Sequence, residues 1–186
     1  LQFYPFHYIY YTLKKNKAIW KSRVLYFLKK NRLERTRHYL GGYWIFLATG
    51  KETDNQFATM ETNYRKGLVP PPHTHTKEDE TWQVLEGEVT FTVGEVTQTL
   101  RPGDFIFLPK NIQHSFVLES DTAKMLLQVF PAGLEEFFME LSVPADKIDY
   151  PPLPSGPPSA EWLARIAALQ QKYGILGVDN TRIKVS

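Results

Sequence analysis

The chain has 186 residues, 42% of them apolar and 23% charged, which is enough for one domain with a core of its own plus extensions. It contains no cysteine, which excludes disulfides and leaves nitrogen and oxygen as the donors for any metal. The net charge of +2 conceals an asymmetry: residues 1–37 hold ten Lys or Arg against one acid, Glu34, while residues 38–186 hold twelve basic and nineteen acidic residues. The main body is therefore acidic, which argues against a nucleic-acid-binding face.

The opening segment is rich in Tyr, Phe, Lys and Asn without a sustained period. Its uncharged run, Leu1 to Leu13, is too short to span a bilayer. The charge follows that run instead of preceding it, unlike a secretory signal. Residues 1–37 are expected to be a basic extension, disordered or helical, with Ile19–Leu33 as the candidate amphipathic helix. With no export signal or membrane span visible, the default expectation is a cytoplasmic protein.

From Tyr43 the texture changes to short β-rich runs between turn residues. Strands are expected over Tyr43–Thr49, Gln56–Tyr64, Thr81–Leu85, Glu88–Val93, Val96–Leu100, Asp104–Leu108, Ser115–Glu119 and Ala123–Phe130. Gly94-Glu95, with Gly first, suits a type II′ hairpin turn. Many short strands at close spacing indicate an all-β sandwich or barrel. Leu134, Phe137, Phe138 and Leu141 then form one helical stripe. The Pro-rich stretch Tyr150–Pro158 reads as a stiff linker. Ser159 is placed to cap a second helix carrying Trp162, Ile166, Leu169 and Tyr173 on one face, and Gly174 to end it. The expected division is 1–37 extension, 38–131 barrel, and 132–186 helices and tail packed on the barrel.

The chemistry concentrates in two stretches. Gly67-Leu-Val-Pro-Pro-Pro-His73-Thr-His75-Thr-Lys-Glu-Asp-Glu80 places two histidines at i and i+2, on the same side of an extended chain. Glu80 opens the next strand and can return to that face. The three prolines hold the approach extended. Gly103-Asp-Phe-Ile-Phe-Leu-Pro109-Lys-Asn111-Ile-Gln-His114 places a third histidine at the start of another strand. Taken singly these signals are weak: Glu78, Asp79 and Glu80 alone read as a solvated acidic turn, and any one histidine as a structural residue.

Taken together they resemble the two motifs of the cupin superfamily. Gly67, His73, His75, Glu80 and Gly87 match the first pattern, G-x5-H-x-H-x4-E-x6-G, and Gly103, Pro109 and His114 match the second. Asn111 stands where that pattern has a turn glycine, which Asn can replace in the left-handed region. Leu118 stands where it has a final Asn. The resemblance implies an all-β cupin barrel (a double-stranded β-helix, or jelly roll) with C-terminal helices. It also implies one divalent metal held by His73, His75, Glu80 and His114. Ni, Mn, Fe or Co are the expected ions, with Cu or Zn as alternatives. Three imidazoles and a carboxylate leave coordination positions open, the physical reason to expect catalysis.

Neighbouring residues outline a pocket. Trp82 and Val84 share the face of Glu80, and Phe116 and Leu118 that of His114, giving an apolar, aromatic chamber. The same residues would equally serve as barrel filling. Phe137 and Phe138 either cover the mouth or pack their helix on the barrel. Tyr43-Trp44, the Pro-Pro-His-x-His element, Pro-Gly-Asp-Phe and Phe130-Pro-Ala-Gly-Leu-Glu-Glu-Phe-Phe further resemble single-domain bacterial cupins related to quercetin 2,3-dioxygenases. That similarity implies a metal-dependent dioxygenase using O2 on a flavonol or other enolisable aromatic, with Glu80 as ligand and general base, working as a homodimer. Two other readings stay open: another metal-cupin enzyme, such as a hydrolase or isomerase, and a module that binds a small molecule without turnover.

Overall fold

A computed structural model of the protein describes residues 31–153, 156 and 158–179. The expected helix over Ile19–Leu33 lies almost wholly outside them. A 3-10 turn, Leu33–Arg35, leads into β1 (Thr36–Tyr39), so the sheet starts inside the segment expected to be an extension. There follow β2 (Gly42–Ala48), the short helix α1 (Gly50–Thr53), β3 (Ala58–Arg65) and β4 (Thr74–His75). Next come β5 (Asp79–Glu86), β6 (Val89–Val93), β7 (Val96–Leu100), β8 (Phe105–Leu108), β9 (His114–Leu118) and β10 (Thr122–Phe130). The last elements are α2 (Leu134–Leu141), β11 (Val143–Pro144), α3 (Ala160–Tyr173) and β12 (Ile175–Leu176).

Among the described residues the strands pair antiparallel into a large sheet, β11-β1-β2-β3-β10-β5-β8, and two small ones, β7-β6-β9 and β12-β4. The small sheets are joined where His73 and His114 face each other and exchange backbone hydrogen bonds of 3.0 and 2.9 Å. Period-two alternation builds the core. Ala123, Met125, Leu127 and Val129 of β10, Trp82 and Val84 of β5, Val89 and Phe91 of β6, and Phe116 and Leu118 of β9 all point inward and are buried. This is the expected all-β barrel with helices toward the C-terminus.

The turn chemistry follows the sequence. Val93 pairs with Val96, so Gly94-Glu95 is a two-residue loop, and Gly94 has φ 57° while Glu95 stays at negative φ, in keeping with type II′. Asn111 adopts φ 64°, the left-handed conformation for which Asn is the best substitute for Gly. The Ser159 hydroxyl accepts from the Trp162 N–H at 3.1 Å, and Gly174 ends α3 with φ 74°. Glu135 ties α2 back to α1: its carboxylate accepts from the Gly50 N–H at 2.8 Å and the Gly133 N–H at 2.6 Å. Among the described residues no helix is long and apolar enough to cross a membrane.

Candidate metal centre

Each of the three histidines is positioned by extended backbone. His73 and His75 flank Thr74 on the β4 segment, two residues apart, so their side chains leave the same face. His114 opens β9 directly opposite His73. The Asn111 N–H donates to the His75 carbonyl at 2.7 Å, which fastens the second turn to the first ligand strand. The result is that one nitrogen from each of His73, His75 and His114 lies within 4.8 Å of the others, an arrangement able to hold a metal ion. Glu80 lies outside that set but against two of its members. Its buried carboxylate lies 3.2 Å from His75 Nε2 and 3.6 Å from His114 Nε2, one side of the triad.

The hydrogen bonding fits a cation. His73 Nδ1 lies 2.9 Å from the Pro71 carbonyl and His114 Nδ1 3.1 Å from the Ile112 carbonyl. A carbonyl only accepts, so both Nδ1 atoms carry the proton, and the Nε2 lone pairs are left facing the cavity. His114 Nε2 and His75 Nδ1 are buried and have no hydrogen-bond partner among the described residues. Glu80 Oε2 accepts from the Trp82 indole N–H at 3.0 Å. A lone pair on His114 Nε2 thus confronts a carboxylate oxygen with no proton between them, an unfavourable contact that a cation relieves.

Burial keeps the imidazoles neutral. It is the first cause that lowers His73 to about 4 and His75 to about 3, the neighbouring imidazole being the next in each case. His114 is also lowered, mainly by burial, with Glu80 opposing. Neutral imidazole is the form that binds a metal, so these shifts favour loading near neutral pH. Glu78 is a further buried carboxyl. It is 3% exposed, against the expectation of a solvated turn, and burial is the main cause that raises it to about 7.

One cavity contains the histidines and Glu80 together with Trp82, Phe116, Phe137 and Phe138. Val84 and Leu118, expected in the pocket, are buried in the core and are not among the residues that line this cavity. Face parity is right for both, yet each lies four residues beyond its presumed ligand, about 13 Å along an extended strand. Sequence reasoning missed Tyr39, Trp44 and Tyr64, which line the wall contributed by β1, β2 and β3. Alternation within β3 gave a signal for Tyr64, whereas the others depend on how β1 and β2 cross the cavity. It also missed Ile166, Ile175 and Val178, by which α3 and the tail close over the site.

Residues 60–130 match the family described as the cupin domain. The chain carries a cupin domain. Over 127 residues, 68% of its length, this cupin is 35% identical to quercetin 2,3-dioxygenase of Bacillus subtilis (strain 168), of which it covers 37%. It is 28% identical over 123 residues, 62% of its length, to quercetin 2,3-dioxygenase of Aspergillus japonicus, covering 35% of that protein. The cupin therefore spans little more than a third of each of these curated relatives. Among solved structures, KdgF from Halomonas sp. aligns with a TM-score of 0.47 and 18% identity over 53% of this chain and 87% of that one.

Proposed function

We propose that this cupin is a metal-dependent dioxygenase that opens the ring of a flavonol, or a related enolisable aromatic, with O2 and releases CO. The observation that carries the reading is a triad of neutral imidazoles beside a buried carboxylate, lining a cavity that aromatic rings also wall. Similarity to two quercetin 2,3-dioxygenases supports it. His73, His75 and His114, with Glu80, would hold one divalent transition metal, Ni, Mn, Fe or Co before Cu or Zn. When bound, such an ion supplies Lewis acidity toward a substrate hydroxyl.

The remaining work falls to the side chains. Glu80 receives the proton of the substrate hydroxyl, and the Trp82 N–H on its Oε2 keeps the carboxylate turned toward the triad. The three imidazoles stay neutral and take no proton. Trp82 and Phe116, with ring centroids 5.5 Å apart and planes tilted by 51°, give an apolar corner against which an aromatic substrate packs and from which water is excluded.

The test combines metal content by mass spectrometry with quercetin absorbance under air and under nitrogen. Oxygen-dependent loss of quercetin, abolished together with the metal in His114→Ala, is the expected result. Metal-replete protein that leaves a panel of flavonols intact in air overturns the dioxygenase reading. That outcome favours a hydrolase or isomerase on the same ligands, or a binding module without turnover.

A further inference from the structure

Tyr64 brings to the cavity wall a hydroxyl that the proposed reaction does not use. It sits on β3 opposite Ala123 of β10, and its ring is wedged edge-on between Trp44, at a centroid distance of 5.7 Å, and Phe116, at 5.2 Å. The residue is 1% exposed and lines the same cavity as the histidine triad. Among the described residues its hydroxyl makes no hydrogen bond; only its backbone carbonyl is engaged from a side chain, by the Tyr150 hydroxyl at 3.4 Å. Nor is that oxygen one of the unpartnered side-chain atoms sealed off by packing, which are Trp44 Nε1, Asn63 Nδ2, His75 Nδ1, Glu78 Oε2 and His114 Nε2. An oxygen neither bonded nor sealed is open to a visiting molecule. Because Tyr64 has almost no outer surface, the opening is toward the cavity it lines.

The hydroxyl lies on the side of the metal centre. Phe116, against which Tyr64 leans, packs in turn on Trp82, and the Trp82 N–H holds Glu80 Oε2. Two rings thus link Tyr64 to the Glu80 carboxylate along one wall. Burial is the first cause that keeps the hydroxyl protonated, followed by Tyr39 and then by Glu80 itself, so the wall adds no charge. A neutral phenol both donates and accepts. Packing does not call for it, because phenylalanine fills the same slot without a polar atom that the fold leaves unpaired.

We propose that Tyr64 is a specificity-determining residue whose hydroxyl hydrogen-bonds a ring hydroxyl of the substrate other than the hydroxyl–carbonyl pair presented to the triad. The proposal rests on the cavity being a flavonol-type site. It selects polyhydroxylated rings over bare ones, because the open phenol is satisfied only by a ligand that brings a polar partner. The ring is clamped by Trp44 and Phe116 before the ligand arrives, so the hydrogen bond forms with little further ordering of the side chain.

The test uses the full chain loaded with zinc and kept under nitrogen, so that the ligand is not consumed. Dissociation constants for quercetin and for 3-hydroxyflavone, which keeps the hydroxyl–carbonyl pair but lacks the other hydroxyls, are measured for wild type and Tyr64→Phe. The substitution removes one oxygen and keeps the ring. It is expected to weaken quercetin about tenfold and 3-hydroxyflavone less than about twofold. A parallel loss for both ligands marks a packing defect and overturns the proposal, as does an unchanged preference.

Thermal denaturation of the ligand-free proteins is the second measurement. A hydroxyl with no partner in the fold can be deleted without loss, so Tyr64→Phe is expected to melt at or above the wild-type temperature. A variant that fails to fold, or melts well below wild type, shows that the hydroxyl serves the structure and overturns the proposal. Wild-type protein that binds neither flavonol overturns the flavonol reading and this inference with it. Wild-type binding intact, with both ligands indifferent to Tyr64→Phe, overturns only the inference.

Discussion

At the scale of single residues, Glu80 is distinguished by being buried among groups that restrain it from different directions. One oxygen takes the Trp82 N–H, and both oxygens lie within 3.6 Å of an imidazole nitrogen. In the proposed reaction Trp82 is therefore a positioning residue, acting through the carboxylate that its N–H holds. Trp82→Phe retains a ring and removes the donor. It is expected to lower kcat for a flavonol about tenfold, with metal content and KM nearly unchanged, because one charge-assisted hydrogen bond is lost. Steady-state kinetics with parallel metal analysis check this, and a rise in KM with kcat intact would instead mark Trp82 as a substrate contact only. The shared face of His73 and His75 was legible in the sequence because extended chain converts i, i+2 spacing into one side, whereas His114 joined them only through the resemblance of the second motif. The burial of Glu78 was not, since it depends on the α2 segment packing against it: a side chain added at Gly133 would come within 3.3 Å of its Oε1.

At the scale of elements, turns carry much of the architecture. Gly67 and Gly103, the first residues of the two motifs, have φ of 82° and 98° with open space around them, so the backbone conformation alone calls for glycine there. Gly87 is more constrained: at φ 88°, a Cβ would sit 2.5 Å from the Thr122 carbonyl oxygen and 2.6 Å from Ser120 Oγ. Gly87→Ala is expected to destabilise the domain by about 2–4 kcal/mol, combining a disfavoured φ with a backbone clash. Urea denaturation measures it, and a cost under about 0.5 kcal/mol would show that the β5–β6 turn shifts freely. The longer strands and both longer helices were legible because their periods persist for several residues. The two-residue strands β4, β11 and β12 were not, since a segment of that length is defined by its partner and carries no pattern of its own.

At the scale of the molecule, β8 is an edge of the large sheet among the described residues, and its Phe105 and Phe107 are 58% and 51% exposed. Two exposed aromatics on an edge strand are unfavourable in a monomer and well suited to a second copy. Sedimentation is expected to give a dimer that Phe105→Lys with Phe107→Lys converts to a folded monomer; a wild-type chain monomeric at about 10 μM would end that expectation.

The pairing of β12 with β4 has a practical consequence. Ile175 stands opposite His75 and Leu176 opposite Thr74, while the Thr76 N–H donates to the Gly174 carbonyl at 3.0 Å. The carboxyl-terminal stretch is thus laced to the ribbon that presents one of the imidazoles. Loss of Ile175 and Leu176 is therefore expected to loosen the strand that presents His75.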